Sequence, residues 1–289
     1  IVWTMHDMWP CTGICHHARD CEKFQMGCES CFFLKSKGKD LSTSVFDKKL
    51  SLYKEANITF VGCSRWLSGR AKKSYLLRDK TVLSIPNPID TEVYHPMDQD
   101  MTRELLGLPS GKRLLLFGAL NVTDKRKGID YLIEALRKIE KQDVELVVFG
   151  QVKDDIRGLF PVPIHSMGYL SDESKIVALY NAVDMFITSS LEENLPNTIM
   201  ESMACGTPCV GFEIGGIPEM IDHKINGYIA SYKDASDLAN GIQWVLEQDQ
   251  LALSDACVKK VQENYTEEVI VMKYLSLYQN ILYKNDGKL

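Results

Sequence analysis

The sequence contains no apolar run approaching the roughly 20 residues that a membrane-spanning helix needs. It has no basic excess either: 33 Lys and Arg stand against 39 Asp and Glu. The resulting formal charge of −6 argues against a nucleic-acid binder, which would carry a positive field. Internal repeats and low-complexity tracts are missing, so strands and helices are read directly from periodicity. Neither an initiator Met nor a signal peptide opens the chain, and "IVWTMHD" reads as a strand already under way. The expectation is a partial chain with material missing before Ile1.

What is there has the composition of a globular protein with a sizeable core: 45% hydrophobic and 25% charged. At 289 residues it exceeds one average domain. Strand and helix patterns alternate almost throughout. "RLLLFGA" and "VELVVFG" are apolar strands separated by the helical pattern "GIDYLIEALRKIE". "VPIHSMG" and "DMFITSS" flank the helix "SDESKIVALYNAV", for which Ser171 is the expected N-cap. Near-continuous apolar strands, each followed by a helix, imply a parallel sheet covered on both faces. From about Asp234 the pattern is helical only. Earlier, "IVWTM", "ITFVG" and "TVLSI" are strands, with helices at Asp47 to Glu55 and from Ser64, itself the expected N-cap. Pro86, Pro88 and Pro96 break both periodicities, which predicts a boundary between two α/β units.

The segment "ITSSLEENLPNTIMESMACGTPCV" sets two acids, Glu193 and Glu201, around a helix start. Asn194 is the expected N-cap, and Pro196 sits where a first-turn proline is welcome. Ile199, Met200, Met203 and Ala204 form the apolar arc, and Glu201 projects away from it on the side of Asn197, Thr198 and Cys205. From Leu195 to Glu201 a helix covers about 9 Å. Its free N–H groups and positive dipole end suit a phosphate. Acids on either side then accept hydrogen bonds from hydroxyls, a sugar at one end and a ribose at the other. On spacing alone, a loop charge and a solvated helix face are the commoner explanation of such a pair.

The wider context is more specific. "SSLEENLPNTIMESMACGTPCV", followed by "GGIPEMI" and "NGYIA" and preceded by "GYLSDESKIVALYNAVDMFITSS", resembles the C-terminal domain of retaining glycosyltransferases of family 4. The E-x7-E motif and both turns match in order and spacing, and the resemblance runs from residue 1 to about 280. It implies a GT-B architecture: α/β, with two Rossmann-like parallel-sheet domains facing a cleft, the first incomplete here. The implied divisions are 1–88, 89–268 as the donor-binding domain, and a C-terminal helix over 269–289 returning to the first domain.

By the same resemblance Glu201 binds the ribose of a nucleotide-sugar donor. Glu193, with the backbone of Asn194, Leu195, Pro196 and Asn197, lies against the donor sugar. The Thr198 and Ile199 amides face the diphosphate. Gly215, Gly216 and Glu219 are taken as structural. In "FGALNVTDKRKGIDYL" the resemblance implies that Arg126 and Lys127 neutralise the departing phosphates, with Gly118 and Ala119 at the strand end beside the donor. Many relatives carry Arg where this chain has Ala119, and Arg126 is the candidate substitute. The base, uracil or guanine, is read by backbone near Gly168 to Leu170, with Tyr169 and Leu170 as donor-binding candidates. "TMHDMWPCTG" resembles the family's His-containing loop, with His6 touching the donor sugar and Asp7 orienting its imidazole.

Five of the nine cysteines cluster in "CTGICHHARDCEKFQMGCESC". Cys28 and Cys31 have structural-zinc spacing, and Cys15 and Cys21 could complete a four-thiolate set. Zinc, free thiols and disulfides all stay open at this stage. The pair Asp98 and Asp100 resembles a metal-binding motif of another architecture but stands far in sequence from any anion loop.

The implied reaction is retaining, metal-independent transfer of a hexose-type sugar from a UDP- or GDP-sugar to a hydroxyl of a saccharide or lipid-linked saccharide. No nucleophile–acid pair of glycosidase type is evident. Bacterial surface-polysaccharide assembly is the implied setting, which makes the expected location cytoplasmic with peripheral membrane contact. A catalytically inactive nucleotide-sugar-binding fragment and a GT-B-type epimerase are the alternatives.

Overall fold

The structure is a computed structural model that describes all residues except 123, 141–142, 152–156 and 287–289. The chain divides into two compact units, Ile1–Pro86 and Asn87–Leu289.

In the first unit β1 (Val2–Met5), β2 (Thr59–Gly62) and β3 (Thr81–Ser84) form a parallel sheet in sequence order. Helix α1 (Leu41–Glu55) begins six residues earlier than its apolar pattern suggests. Asp40 caps it, accepting from the amides of Ser42 and Thr43, and the Thr43 side chain closes a capping box. Helix α2 (Arg65–Lys73) starts at Ser64, whose hydroxyl accepts from the Leu67 amide at 2.9 Å. Between β1 and α1 the chain is irregular apart from two short 3-10 turns, Trp9–Cys11 and Lys23–Gln25.

The second unit carries a six-stranded parallel sheet. After α3 (Gln99–Leu106) come β4 (Arg113–Asn121), α4 (Ile129–Lys138), β5 (Val144–Gln151) and β6 (Ile164–Gly168). Then follow α5 (Glu173–Ala182), β7 (Met185–Thr188), α6 (Asn197–Ala204), β8 (Cys209–Phe212), α7 (Ile217–Met220) and β9 (Gly227–Ala230). The strand order is β6-β5-β4-β7-β8-β9. All residues of β7 and β8 are buried, as expected for strands covered on both faces. The core joins strand residues such as Leu115, Val148, Ile187 and Val210 to Leu132 and Leu136 of α4 and to Leu238 and Ile242 of α8 (Ala235–Glu247). Helices α9 (Gln250–Asn264) and α10 (Glu267–Asp286) complete the unit, and the last three residues of the expected 269–289 helix lie outside the described residues. No helix among the described residues is long and apolar enough to cross a membrane.

One capping assignment here differs from expectation. Asp172, not Ser171, caps α5, its carboxylate accepting from the Ser174 amide at 3.1 Å. Asp98, the first acid of the metal-like pair, is the N-cap of α3 and accepts from the Met101 amide at 2.9 Å. A buried ion pair then anchors α3 to the sheet. Arg103 Nη2 lies 3.0 Å from Asp184 Oδ2, and that oxygen also accepts from the Leu114 amide at 2.6 Å.

Candidate functional site

Strand β4 leads by way of α4 to β5 on one side, and β7 leads to β8 on the other. The sheet therefore reverses its order between β4 and β7. In open parallel sheets the crevice outside the carboxyl ends of such a strand pair is where ligands bind. Both loops singled out in the sequence leave from this point.

Hydrogen bonds to backbone carbonyls stitch those loops together. The Leu191 amide donates to the Arg126 carbonyl at 2.7 Å, and Ser189 Oγ to the Lys127 carbonyl at 3.0 Å. Gly128 makes the fit possible. It adopts φ +66°, and a Cβ there would stand 1.9 Å from the Ser189 carbonyl oxygen. On the other side Gly215, at φ +58°, passes under Glu193, whose carbonyl oxygen would be 2.0 Å from an added Cβ. The Gly216 amide donates to the Asn194 carbonyl at 2.5 Å. The Gly215–Gly216 pair is thus structural in a specific sense: it supports the backbone of Glu193 and Asn194.

Side chains close the arrangement. Lys127 Nζ lies 2.5 Å from Glu193 Oε1. Arg126 turns instead to Asp124, with Nη2 2.6 Å from Oδ2, and this partner holds the Asp124 carboxyl below its ordinary range. Asp124 also caps the turn Lys125–Lys127 through the Arg126 amide. Gly118 and Ala119 sit at the end of β4, where pairing with β5 becomes irregular before Asn121.

Helix α6 starts at Asn197, with Pro196 in the N-cap position and no side-chain cap. Asn194 is therefore not the cap. Proline fixes φ near −65° and enters the helix two residues later than the sequence pattern suggested. Only four helical steps, about 6 Å, separate Asn197 from Glu201. Thr198 and Ile199 fall in the first turn, and Asn197 Oδ1 accepts from Asn87 Nδ2 at 3.1 Å. Leu195 is buried just before this start.

Glu201 is partly buried rather than on a solvated face. Tyr180 of α5, 1% exposed, donates its phenol hydrogen to Glu201 Oε2 at 2.9 Å. Burial pushes the Glu201 carboxyl above its ordinary value; the Tyr180 bond opposes this and the nearby Glu173 charge adds to it. Tyr94 donates to Glu173 Oε1 at 3.2 Å. Tyr169 and Leu170 follow β6, the edge strand two places from β4, and lead into the start of α5 where Glu173 lies.

In the first unit His6 is exposed in the bend after β1. The carboxylate of Asp7 binds the Trp9 amide (2.7 Å) and His16 Nδ1 (2.7 Å), so the imidazole it is seen to hold is that of His16. Lys49 of α1 supports the following turn, donating to the carbonyls of Trp9, Thr12 and Gly13 at 2.6, 3.0 and 3.1 Å. Cys15, Cys21, Cys28 and Cys31 line one cavity of about 500 Å³. A tetrahedral zinc needs four sulfurs about 2.3 Å from one point. Among the described residues no group of three or more His, Cys, Asp or Glu is arranged to hold a metal ion, so the zinc expectation has no ligand geometry behind it. All nine cysteines are free thiols.

Residues 111–248 match the model of the family Glycosyl transferases group 1. That stretch contains both loops and α6. The chain is 26% identical over 211 residues to N-acetyl-alpha-D-glucosaminyl L-malate synthase of Bacillus anthracis, covering 71% of this chain and 55% of that protein. It spans about half the length of the curated relatives it matches. Among solved structures, sucrose-phosphate synthase from Thermosynechococcus elongatus superposes with a TM-score of 0.74 at 20% identity, over 98% of this chain and 68% of that one. Anabaena Alr3699/HepE in complex with UDP-glucose gives 0.68 at 18% identity, over 82% and 68%. The fold is the parallel-sheet α/β fold of GT-B glycosyltransferases.

The sequence reading missed Tyr180, Asp124 and the Tyr94–Glu173 pair. Tyr180 occupies what reads as an ordinary apolar position of α5. Asp124 carried the clearest signal, an acid followed immediately by a basic run at a helix entry.

Proposed function

We propose that the chain is the donor-side machinery of a retaining glycosyltransferase, moving a hexose-type sugar from a UDP- or GDP-sugar to a hydroxyl of a saccharide or lipid-linked saccharide. One observation carries this reading: a helix start without a side-chain cap, flanked by the Lys127–Glu193 pair before it and by Glu201 one turn inside it. The Ile199 amide closes the first turn onto the Pro196 carbonyl at 3.1 Å, and the amides before it at this helix N-terminus favour a diphosphate. A carboxylate on either side accepts hydroxyl hydrogen bonds, from the sugar at Glu193 and from the ribose at Glu201. The name of the Anabaena complex supports a uridine nucleotide as one donor class.

In the proposed reaction the anomeric carbon–oxygen bond to the diphosphate breaks while the acceptor oxygen bonds to the same face. The acceptor proton passes to a phosphate oxygen of the leaving group, and configuration is kept. Lys127 exchanges Glu193 for phosphate as negative charge grows on the leaving group, and Arg126 makes the equivalent exchange from Asp124. These two cations supply the charge neutralisation, so the proposal assigns no metal ion to the transfer step. A catalytic role for His6 belongs to the same proposal. Cytoplasmic location with peripheral membrane contact belongs to the same proposal.

Incubation with a panel of UDP-, GDP- and ADP-sugars and glycan or lipid-linked acceptors tests it. The expected products are free nucleoside diphosphate and a glycosylated acceptor of unchanged anomeric configuration. Nucleotide binding without turnover would favour the inactive-module alternative, and an epimerised nucleotide sugar would replace transfer with isomerisation.

A further inference from the structure

Glu201 has two carboxylate oxygens with different fates. Oε2 accepts the Tyr180 phenol, and Oε1 has no protein hydrogen-bond partner among the described residues. Tyr180 has little freedom to do anything else. Its ring stands edge-on to Phe149 and Phe186 at 6.3 and 6.0 Å, and its carbonyl accepts from Thr207 Oγ1 at 2.7 Å. A phenol has one hydrogen to donate, and here it is committed.

We propose that Tyr180 is the positioning residue for Glu201, fixing one oxygen so that the other is presented as the acceptor for ribose hydroxyls. This rests on the ribose role proposed above for Glu201. The alternative for a partly buried glutamate is to rotate among its rotamers, or to hold a proton and become a donor where an acceptor is needed. Tyr180 opposes both. Its hydrogen bond favours the ionised carboxyl and restrains its rotation.

The groups facing this carboxyl are few: Tyr180 and Glu173 from α5, Tyr94 from the segment between β3 and α3, and Cys205 at the end of α6. Burial and the Glu173 charge raise the Glu201 pKa, and Tyr180 alone among its resolved influences lowers it. Removing the phenol hydroxyl should therefore make Glu201 protonate at higher pH, and removing the Glu173 charge should do the reverse.

The test uses Tyr180→Phe, which keeps the ring packed between Phe149 and Phe186, with Glu173→Gln as the variant of opposite sign. Binding of UDP and of GDP, and of their 2′,3′-dideoxy counterparts, is measured by calorimetry from pH 5 to 9. The wild type is expected to prefer the ribonucleotide about tenfold or more and to lose that preference on the acid side. In Tyr180→Phe the acid limb should move up by about one pH unit, the size expected for a hydrogen bond to a charged group. Ribonucleotide affinity should fall several-fold on that acid limb with the dideoxy affinity unchanged. In Glu173→Gln the limb should move down. A merely structural tyrosine would weaken both ligands alike. A ribose preference and acid limb that survive intact in Tyr180→Phe would overturn the positioning role alone. A wild type that binds ribo and dideoxy forms equally would remove the ribose reading of Glu201 and the positioning role with it.

Discussion

Replacing Glu201 by Gln separates what this residue costs the fold from what it does for a ligand. Gln is nearly the same size, and its amide oxygen can still accept from Tyr180, so the packing around α5 and α6 is kept. The charge is not. A hydrogen bond to an ionised group contributes about 1.5–3 kcal/mol, which corresponds to roughly ten- to one-hundred-fold in nucleotide affinity. Stability should move the other way. The Glu201 carboxyl is raised above its ordinary 4.5 by burial, so the folded chain holds that proton more tightly than the unfolded chain. Its contribution is fully favourable below 4.5 and is lost as pH rises through the folded value. Glu201→Gln should therefore melt higher than wild type at pH 7, with the advantage gone by pH 4. Thermal melts across that range, paired with calorimetric titration of UDP and GDP, give both numbers. A variant that binds nucleotide as tightly as wild type, or that melts lower at pH 7, would refute the reasoning.

Three further predictions concern the frame of the site. Lys127→Met should lower kcat for transfer about a hundredfold with little change in donor KM, because its charge acts on the departing diphosphate; unchanged kcat counts against the exchange from Glu193. Gly215→Ala forces a side chain into φ +58° and to within 2.0 Å of the Glu193 carbonyl, so it should destabilise the second unit by about 1–3 kcal/mol and raise donor KM, as urea unfolding and steady-state kinetics would show. Asp184→Ala leaves buried Arg103 without its partner and the Leu114 amide without its acceptor. Urea unfolding should show a loss of about 3–5 kcal/mol, and a loss below 1 kcal/mol would mean that water reaches the pair.

Strand and helix order was readable because it is written in period and apolar runs. "MFIT" and "CVGF" are buried over their whole length, which only a sheet covered on both faces requires. Boundaries were less readable where short-range chemistry decides them. Asp172 outcompetes Ser171 as a cap, and Pro196 delays α6 beyond Asn194. At the site, the acids and basic residues could be named from spacing and resemblance, but their partners could not. Lys127 meets Glu193 across 66 positions of chain, and Tyr180 meets Glu201 through the adjacency of α5 and α6, so both contacts arise from tertiary packing. The cysteine cluster shows the opposite failure: ligand-like spacing put four thiols around one cavity without converging them on a point.

The bonds from the Leu191 amide to the Arg126 carbonyl and from the Ser189 hydroxyl to the Lys127 carbonyl have a consequence for engineering. Donor specificity cannot be moved between relatives by transplanting either loop alone, since each supplies half of the other's scaffold. Residues 124–128 and 188–194 form one exchangeable cassette, and Gly215 is its floor: a chimera that swaps both and keeps that glycine inherits a working geometry, and one that swaps a single loop inherits a mismatch.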